Sequence, residues 1–290
     1  MSNIHMIIEE RPARIGNFLV GRLLPFRNKR MVGPFAFIDH MGPVDLQKGE
    51  GLDVPPHPHI GLSTLTYLFE GSIMHRDSLG TEVEIKPGEV NWMTAGAGIA
   101  HSERTPDYLR EQGGILHGLQ IWVALPIYWE RTSPTFVHID KESIPQWEEN
   151  GLSYRLIAGS LGERESPVPV YSPLYLIEIK SSDRRKVDLG ELLFGESAMY
   201  ILEGSVLSDG KVFDSRQILV AVDSKLCSFE MEAGSTIYIF GGEVFPEERF
   251  IYWNFVASDK ALIEAAKERW KEQRFEKVPG ETEFVPLPSI

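Results

Sequence analysis

Two pairs of side chains in this sequence could bind a metal. In "PPHPHIGLST" (Pro55 to Thr64) His57 and His59 lie one residue apart, and in "AGAGIAHSERTP" (Ala95 to Pro106) His101 and Glu103 repeat that spacing. Residues two apart on an extended strand project from one face, so each pair can present two donor groups side by side. One such pair is commonplace. Two pairs on neighbouring strands would converge on a point, and the glycines before His101 let the chain pass close beneath it. Three neutral imidazole nitrogens and one carboxylate suit a borderline divalent ion: iron, manganese, nickel, copper or zinc. Iron(II) is preferred, because an octahedral sphere keeps two positions open after four protein ligands, whereas four ligands would close a tetrahedral zinc. The expectation is one metal per chain, held by His57, His59, His101 and Glu103. Glu103 carries a second role: it can stay a ligand, or detach to serve as a base when substrate binds.

The other candidates are weaker. Asp39 and His40 in "IDHMGP" are placed either near the mouth of the pocket, where a carboxylate could orient a ligand imidazole, or in a structural turn. His75 follows a glycine turn on a polar hairpin and is expected to be solvated. His117 precedes an alternating strand and reads as structural. His5 and His138 read as surface or edge residues, and Cys227 as a small core filler. The basic residues Arg22, Arg27, Lys29 and Arg30 form either a solvated loop or a local cluster able to receive an anion.

The elements that must position these groups are mostly strands. Runs such as "LSTLTYLF", "EVEIK", "GLQIWVAL", "YLIEIK", "MYILEGSV" and "STIYIFGG" alternate or are rich in branched apolar residues, and Gly or Pro turns separate them. That pattern fits an all-β chain of barrels or sandwiches. One helix is expected late, in "SDKALIEAAKERWKEQRF", with Ser258 as its N-cap and a stripe of Leu262, Ala265, Ala266 and Trp270 to cover a barrel face. "YLFEGSI" (Tyr67 to Ile73) recurs as "YILEGSV" (Tyr200 to Val206), which implies two β-domains. The polar segment "KESIPQWEENGL" (Lys141 to Leu152) is the natural join, giving domains 1–140 and 141–290. All eight histidines precede residue 139, and Gly190 and Leu192 stand where the repeat would place the first pair. Only the first domain is therefore expected to hold metal.

Composition excludes other classes. The net charge of −13 disfavours a phosphate backbone, so no direct nucleic-acid binding is expected. No apolar run has the length of a bilayer span and the N-terminus lacks the pattern of a secretory signal, so a cytoplasmic chain without membrane contact is expected. A single cysteine forbids an internal disulfide and a thiolate cluster.

The spacing Gly51-x5-His57-x-His59-x4-Thr64-x6-Gly71 resembles the first cupin motif, with Thr64 where most cupins carry a glutamate ligand. The "HSE" of His101 to Glu103 resembles the pirin branch of that superfamily, in which the carboxylate ligand comes from this second motif. "RMVGPFAFIDHMGP" (Arg30 to Pro43), "HGLQIWVALP" (His117 to Pro126) and "RFEKVPGETEFVPLP" (Arg274 to Pro288) agree, so the resemblance spans nearly the whole chain. It implies two tandem cupin barrels with iron in the N-terminal barrel, a metal-free C-terminal barrel, and a C-terminal helix packed outside. It also implies quercetin 2,3-dioxygenase activity, with a polyphenol and dioxygen as substrates and Glu103 as proton acceptor. A second reading comes from eukaryotic pirins, described as iron-dependent transcriptional coregulators: a redox sensor acting through a protein partner. A sugar isomerase or carbohydrate-binding cupin uses the same scaffold without specific support in these residues. A monomer is expected.

Overall fold

The computed structural model describes residues 4–221 and 228–288; Cys227 lies outside the described residues. It contains two compact units, each built from three stretches of chain. One comprises Pro12–Arg22, Ile38–Lys141 and Pro246–Ile290, the other Met1–Arg11, Leu23–Phe37 and Glu142–Phe245. The middle stretches part between residues 141 and 142. The ends of the chain do not follow that cut: the first residues belong with the second half, and the last residues with the first half.

A seven-stranded sheet, most of whose residues belong to the histidine-bearing unit, runs in the order Thr135–Ile139, Val90–Thr94, Leu62–Glu70, Gly114–Ala124, Phe35–Leu46, Phe18–Leu24, Arg11–Ile15. A four-stranded sheet runs Asp53–His59, Ile99–Arg104, Ile73–Asp77, Glu82–Ile85. Phe18, Met41, Leu68 and Leu116 from the larger sheet meet Val54, Ile73 and Ile85 from the smaller in one apolar core. Strand alternation produces this: Ile73, His75 and Asp77 are buried, while Met74 and Arg76 between them are half-exposed.

The other unit repeats the plan. Its larger sheet runs Ile4–Glu9, Gln217–Ala221, Glu196–Glu203, Ser235–Gly242, Leu174–Ser181, Leu152–Leu161, Gln146–Glu149, with Arg164–Glu165 pairing alongside. Its smaller sheet, Arg185–Val187, Phe229–Met231, Ser205–Ser208, Lys211–Asp214, has the same order of corresponding strands. The sequence repeat falls on equivalent hairpins, whose turns need the positive φ of Gly71 (79°) and Gly204 (72°). In this barrel Val187, Phe229 and Met231 pack with Ile177, Ile201, Ile237 and Ile239, so its interior is filled with apolar side chains. Gly190 and Leu192 lie on a short 3-10 turn rather than a strand. Part of the expected linker is also structured: Gln146–Glu149 pairs with Leu152–Leu161 around a turn at Asn150 and Gly151.

The helix spans Lys260–Lys271. Its N-cap is Asp259, whose side chain accepts the Ala261 N–H; Ser258 instead donates its hydroxyl and backbone N–H to Glu130. Of the expected stripe, Ala265 is exposed and Leu262 packs half-buried; the buried residues are Ile263, Ala266 and Trp270, the last two as expected. These side chains pack with Ile60, Ala100, Phe255 and Phe275, so the helix covers the outer side of the strands that carry the histidines. The tail beyond it is anchored there too. Val285 N–H donates to the Pro56 carbonyl, and Arg104 and Ser102 both donate to Glu281. No helix among the described residues is long and apolar enough to cross a membrane.

Candidate metal centre

His57 and His59 lie on the strand Asp53–His59, and His101 on its antiparallel neighbour Ile99–Arg104. The register sets His101 directly opposite His57 and Ile99 opposite His59. All three imidazoles are buried, and their rings lie 4.3 to 5.1 Å apart, centroid to centroid. One ring nitrogen from each falls within 4.8 Å of the others, a convergence no ordinary core requires.

The remaining ring nitrogens explain the orientation. His57 Nδ1 lies 3.0 Å from the Pro55 carbonyl oxygen and His59 Nδ1 lies 3.1 Å from that of Asn254. Each neutral ring can donate N–H to that carbonyl, leaving Nε2 as a bare lone pair, which is how proteins present histidine to a metal. His101 Nε2 is buried without a hydrogen-bond partner, a cost a protein core avoids unless something occupies the position. Burial lowers the His57 pKa to about 4, against the raising effect of the Pro55 carbonyl and with a further lowering from His75. Burial and the neighbouring histidines hold His59 and His101 well below the ordinary range. The trio is therefore neutral at physiological pH and fits a divalent metal ion.

Glu103 follows His101 by two residues, but a bulge in the pairing with Asp53–His59 lies between them, and Glu103 pairs with Val54 and His75. It is buried, and its carboxylate stands outside the tight histidine trio. The Thr66 hydroxyl lies 2.9 Å from Gln120 Oε1 and 3.5 Å from Glu103 Oε1. Burial raises the Glu103 carboxyl to about 7, partly countered by Thr66. Thr64 is buried on the same strand face as Thr66, and Trp122 sets its ring edge against His59 at 5.1 Å.

Other expectations need correction. His75 is not solvated: it is 4% exposed, stacks on Phe136, pairs through Nε2 with Asp77 at 3.1 Å and approaches His101. Burial would raise the Asp77 carboxyl, but hydrogen bonds from His75 and Thr81 outweigh it and leave the carboxyl below its ordinary value. Asp39 is buried and makes a two-bond ion pair with Arg22, so Arg22 already has an anionic partner. His40 and His117 face each other, Nε2 to Nε2, at 2.8 Å. His117 lies within the strand Gly114–Ala124 rather than before one. Lys29 pairs with Glu196 and Arg30 is exposed. His5 is exposed, and His138 lies on the edge strand Thr135–Ile139, as expected. Sequence reasoning missed Asn254, whose backbone orients His59 from 195 residues away and whose side chain gives no sign of it.

Comparison with known proteins shows what this chain is similar to. Residues 17–123 match the family described as Pirin, and residues 178–276 match that described as the Pirin C-terminal cupin domain. A pirin-like protein of Caulobacter vibrioides is 48% identical, covering 98% of this chain and 99% of its own. A protein of Pseudomonas aeruginosa described as a candidate quercetin 2,3-dioxygenase is 37% identical, over 91% of this chain and 83% of its own. The crystal structure of a quercetin 2,3-dioxygenase from Acinetobacter baumannii superposes with a TM-score of 0.89 at 34% identity, covering 98% of this chain and 95% of that one.

Proposed function

This chain belongs to the pirin family, a branch of the cupin proteins, and from that premise we propose that it is a mononuclear non-haem iron dioxygenase acting on flavonols of the quercetin type. The observation that carries the proposal is the convergence of one ring nitrogen from each of three buried imidazoles, with His57 and His59 held through Nδ1 by main-chain carbonyls. In this reading His57, His59, His101 and Glu103 hold one iron(II) per chain. Bound iron supplies a Lewis acid for the adjacent hydroxyl and carbonyl oxygens of the flavonol and a path for electrons to dioxygen.

The chain's own residues do the rest. The imidazoles give up no proton on binding metal because they are already neutral. Glu103, buried two residues beyond His101 on the same strand, is the group placed to accept the proton of the flavonol 3-hydroxyl at a carboxylate oxygen. The one proton of the Thr66 hydroxyl can go to Gln120 Oε1 at 2.9 Å or to Glu103 Oε1 at 3.5 Å, so Thr66 can turn it to the carboxylate when Glu103 is ionised. Trp122 and the buried strand faces around it keep the site dry, which strengthens each of these interactions. The apolar second barrel serves as a structural or recognition domain.

The test is direct. Protein loaded anaerobically with iron(II) should consume quercetin and dioxygen in equal amounts, releasing one carbon monoxide for each and leaving a ring-opened ester. Iron binding without oxygen uptake across a panel of flavonols and catechols would reject the dioxygenase and favour a sensor acting through a protein partner.

A further inference from the structure

We infer that Asp77 and His75 form a relay that fixes the tautomer of His101, so that the third metal ligand presents a bare Nε2. The inference rests on the assignment of the histidine trio as a metal site, and it adds two positioning residues to it.

His57 and His59 have their tautomers set by main-chain carbonyls, at 3.0 and 3.1 Å. The Nδ1 of His101 instead faces Nδ1 of His75 at 3.4 Å, and an imidazole nitrogen can be donor or acceptor. Something must decide which, and Asp77 does. Its carboxylate is fully buried, and Oδ1 accepts the N–H groups of Leu79 (2.9 Å) and Thr81 (3.0 Å). That leaves Oδ2, which lies 3.1 Å from His75 Nε2. A carboxylate only accepts, so His75 turns an N–H at Nε2 toward Oδ2, and with that one ring proton its Nδ1 is a lone pair. The proton shared between the two Nδ1 atoms then belongs to His101, whose Nε2 is left bare. That Nε2 is the buried atom without a partner. The stack of His75 on Phe136, 4.5 Å between centroids and 21° from parallel, holds the relay ring in plane. The arrangement moves no net charge; it selects one of two neutral forms.

Nitrogen-15 NMR of histidine-labelled, metal-free, full-length protein at neutral pH reads the tautomers without any metal. His101 should carry its proton on Nδ1 and His75 on Nε2; a proton on His101 Nε2 would overturn the relay. Asp77→Asn sharpens the test. The amide oxygen would keep the Leu79 and Thr81 N–H groups, turning its NH2 toward His75 Nε2 and reversing both tautomers. Cobalt(II) affinity should then fall about 10- to 100-fold, as for other outer partners of metal-bound histidines. His75→Phe, which keeps a ring against Phe136, should lose a similar amount. Wild-type affinity in both variants would refute the inference. His101→Ala separates the two claims: if that variant still bound cobalt(II), the site assignment would fail, while the metal-free spectrum would still decide the relay.

Discussion

Acid should destabilise the metal-free protein through its own ligands. His57 has a pKa of about 4 in the fold against an ordinary 6.5, chiefly because burial disfavours its charged form. Between those values the unfolded chain binds a proton that the folded chain refuses, so stability is present above the unfolded value and is lost as pH falls toward the folded one. At roughly 1.4 kcal/mol per pH unit, His57 alone removes about 2 kcal/mol by about pH 5. His59 and His101 are shifted in the same direction and add to the loss. That is a sizeable part of the ~5–15 kcal/mol that holds an ordinary domain together. Surface carboxylates also titrate in this range, so the measurement is a difference: urea unfolding of wild type and His57→Gln, both metal-free, at about pH 7.5 and about pH 5. Wild type should lose about 2 kcal/mol more than the variant on acidification. Equal losses would show that His57 is not held neutral in a buried site, and the argument for a preformed trio would fall.

Replacing His59 or His101 by Ala should strip the metal while the far-UV circular dichroism and cooperative melt persist; elemental analysis after desalting checks it. Glu103→Gln keeps an oxygen able to ligate but cannot accept the substrate proton, so turnover per bound iron should fall by roughly 10²-fold or more. Asp259→Ala should cost about 1 kcal/mol in a urea melt by removing the helix cap, whereas Ser258→Ala should act through lost contact with Glu130. Gly71→Ala should destabilise by more than about 1 kcal/mol, because its φ is 79° and a Cβ would come within 2.4 Å of the Ile115 carbonyl oxygen.

Much of this arrangement was legible in the residues, and the failures have physical causes. Strands announced themselves through branched apolar runs, and the repeat at Tyr67 and Tyr200 marked equivalent hairpins because both need a glycine in the same turn. His57, His59 and His101 could be grouped because strand periodicity is local and fixed. His75 was misjudged: "MHRDSLG" looks polar, yet its alternation continues from Ile73 and sends His75 and Asp77 inward, where they satisfy each other. Polarity suggested water where a buried pair was the answer. The pairing of Ile4–Glu9 with Gln217–Ala221 and the reach of Asn254 to His59 join residues far apart in the chain, and neither segment carries a local sign of its partner. The helix cap moved from Ser258 to Asp259 because both are good caps and a tertiary partner, Glu130, claimed the serine.

The proposed iron sits among His57, His59, His101 and Glu103, and the apolar barrel holds none. A crystal of the anaerobically iron-loaded protein, with anomalous diffraction recorded on both sides of the iron absorption edge, tests it most directly. A single iron peak should appear, bonded to Nε2 of all three histidines and to a carboxylate oxygen of Glu103. A peak bonded through Nδ1, a peak without Glu103, or iron inside the apolar barrel would contradict it.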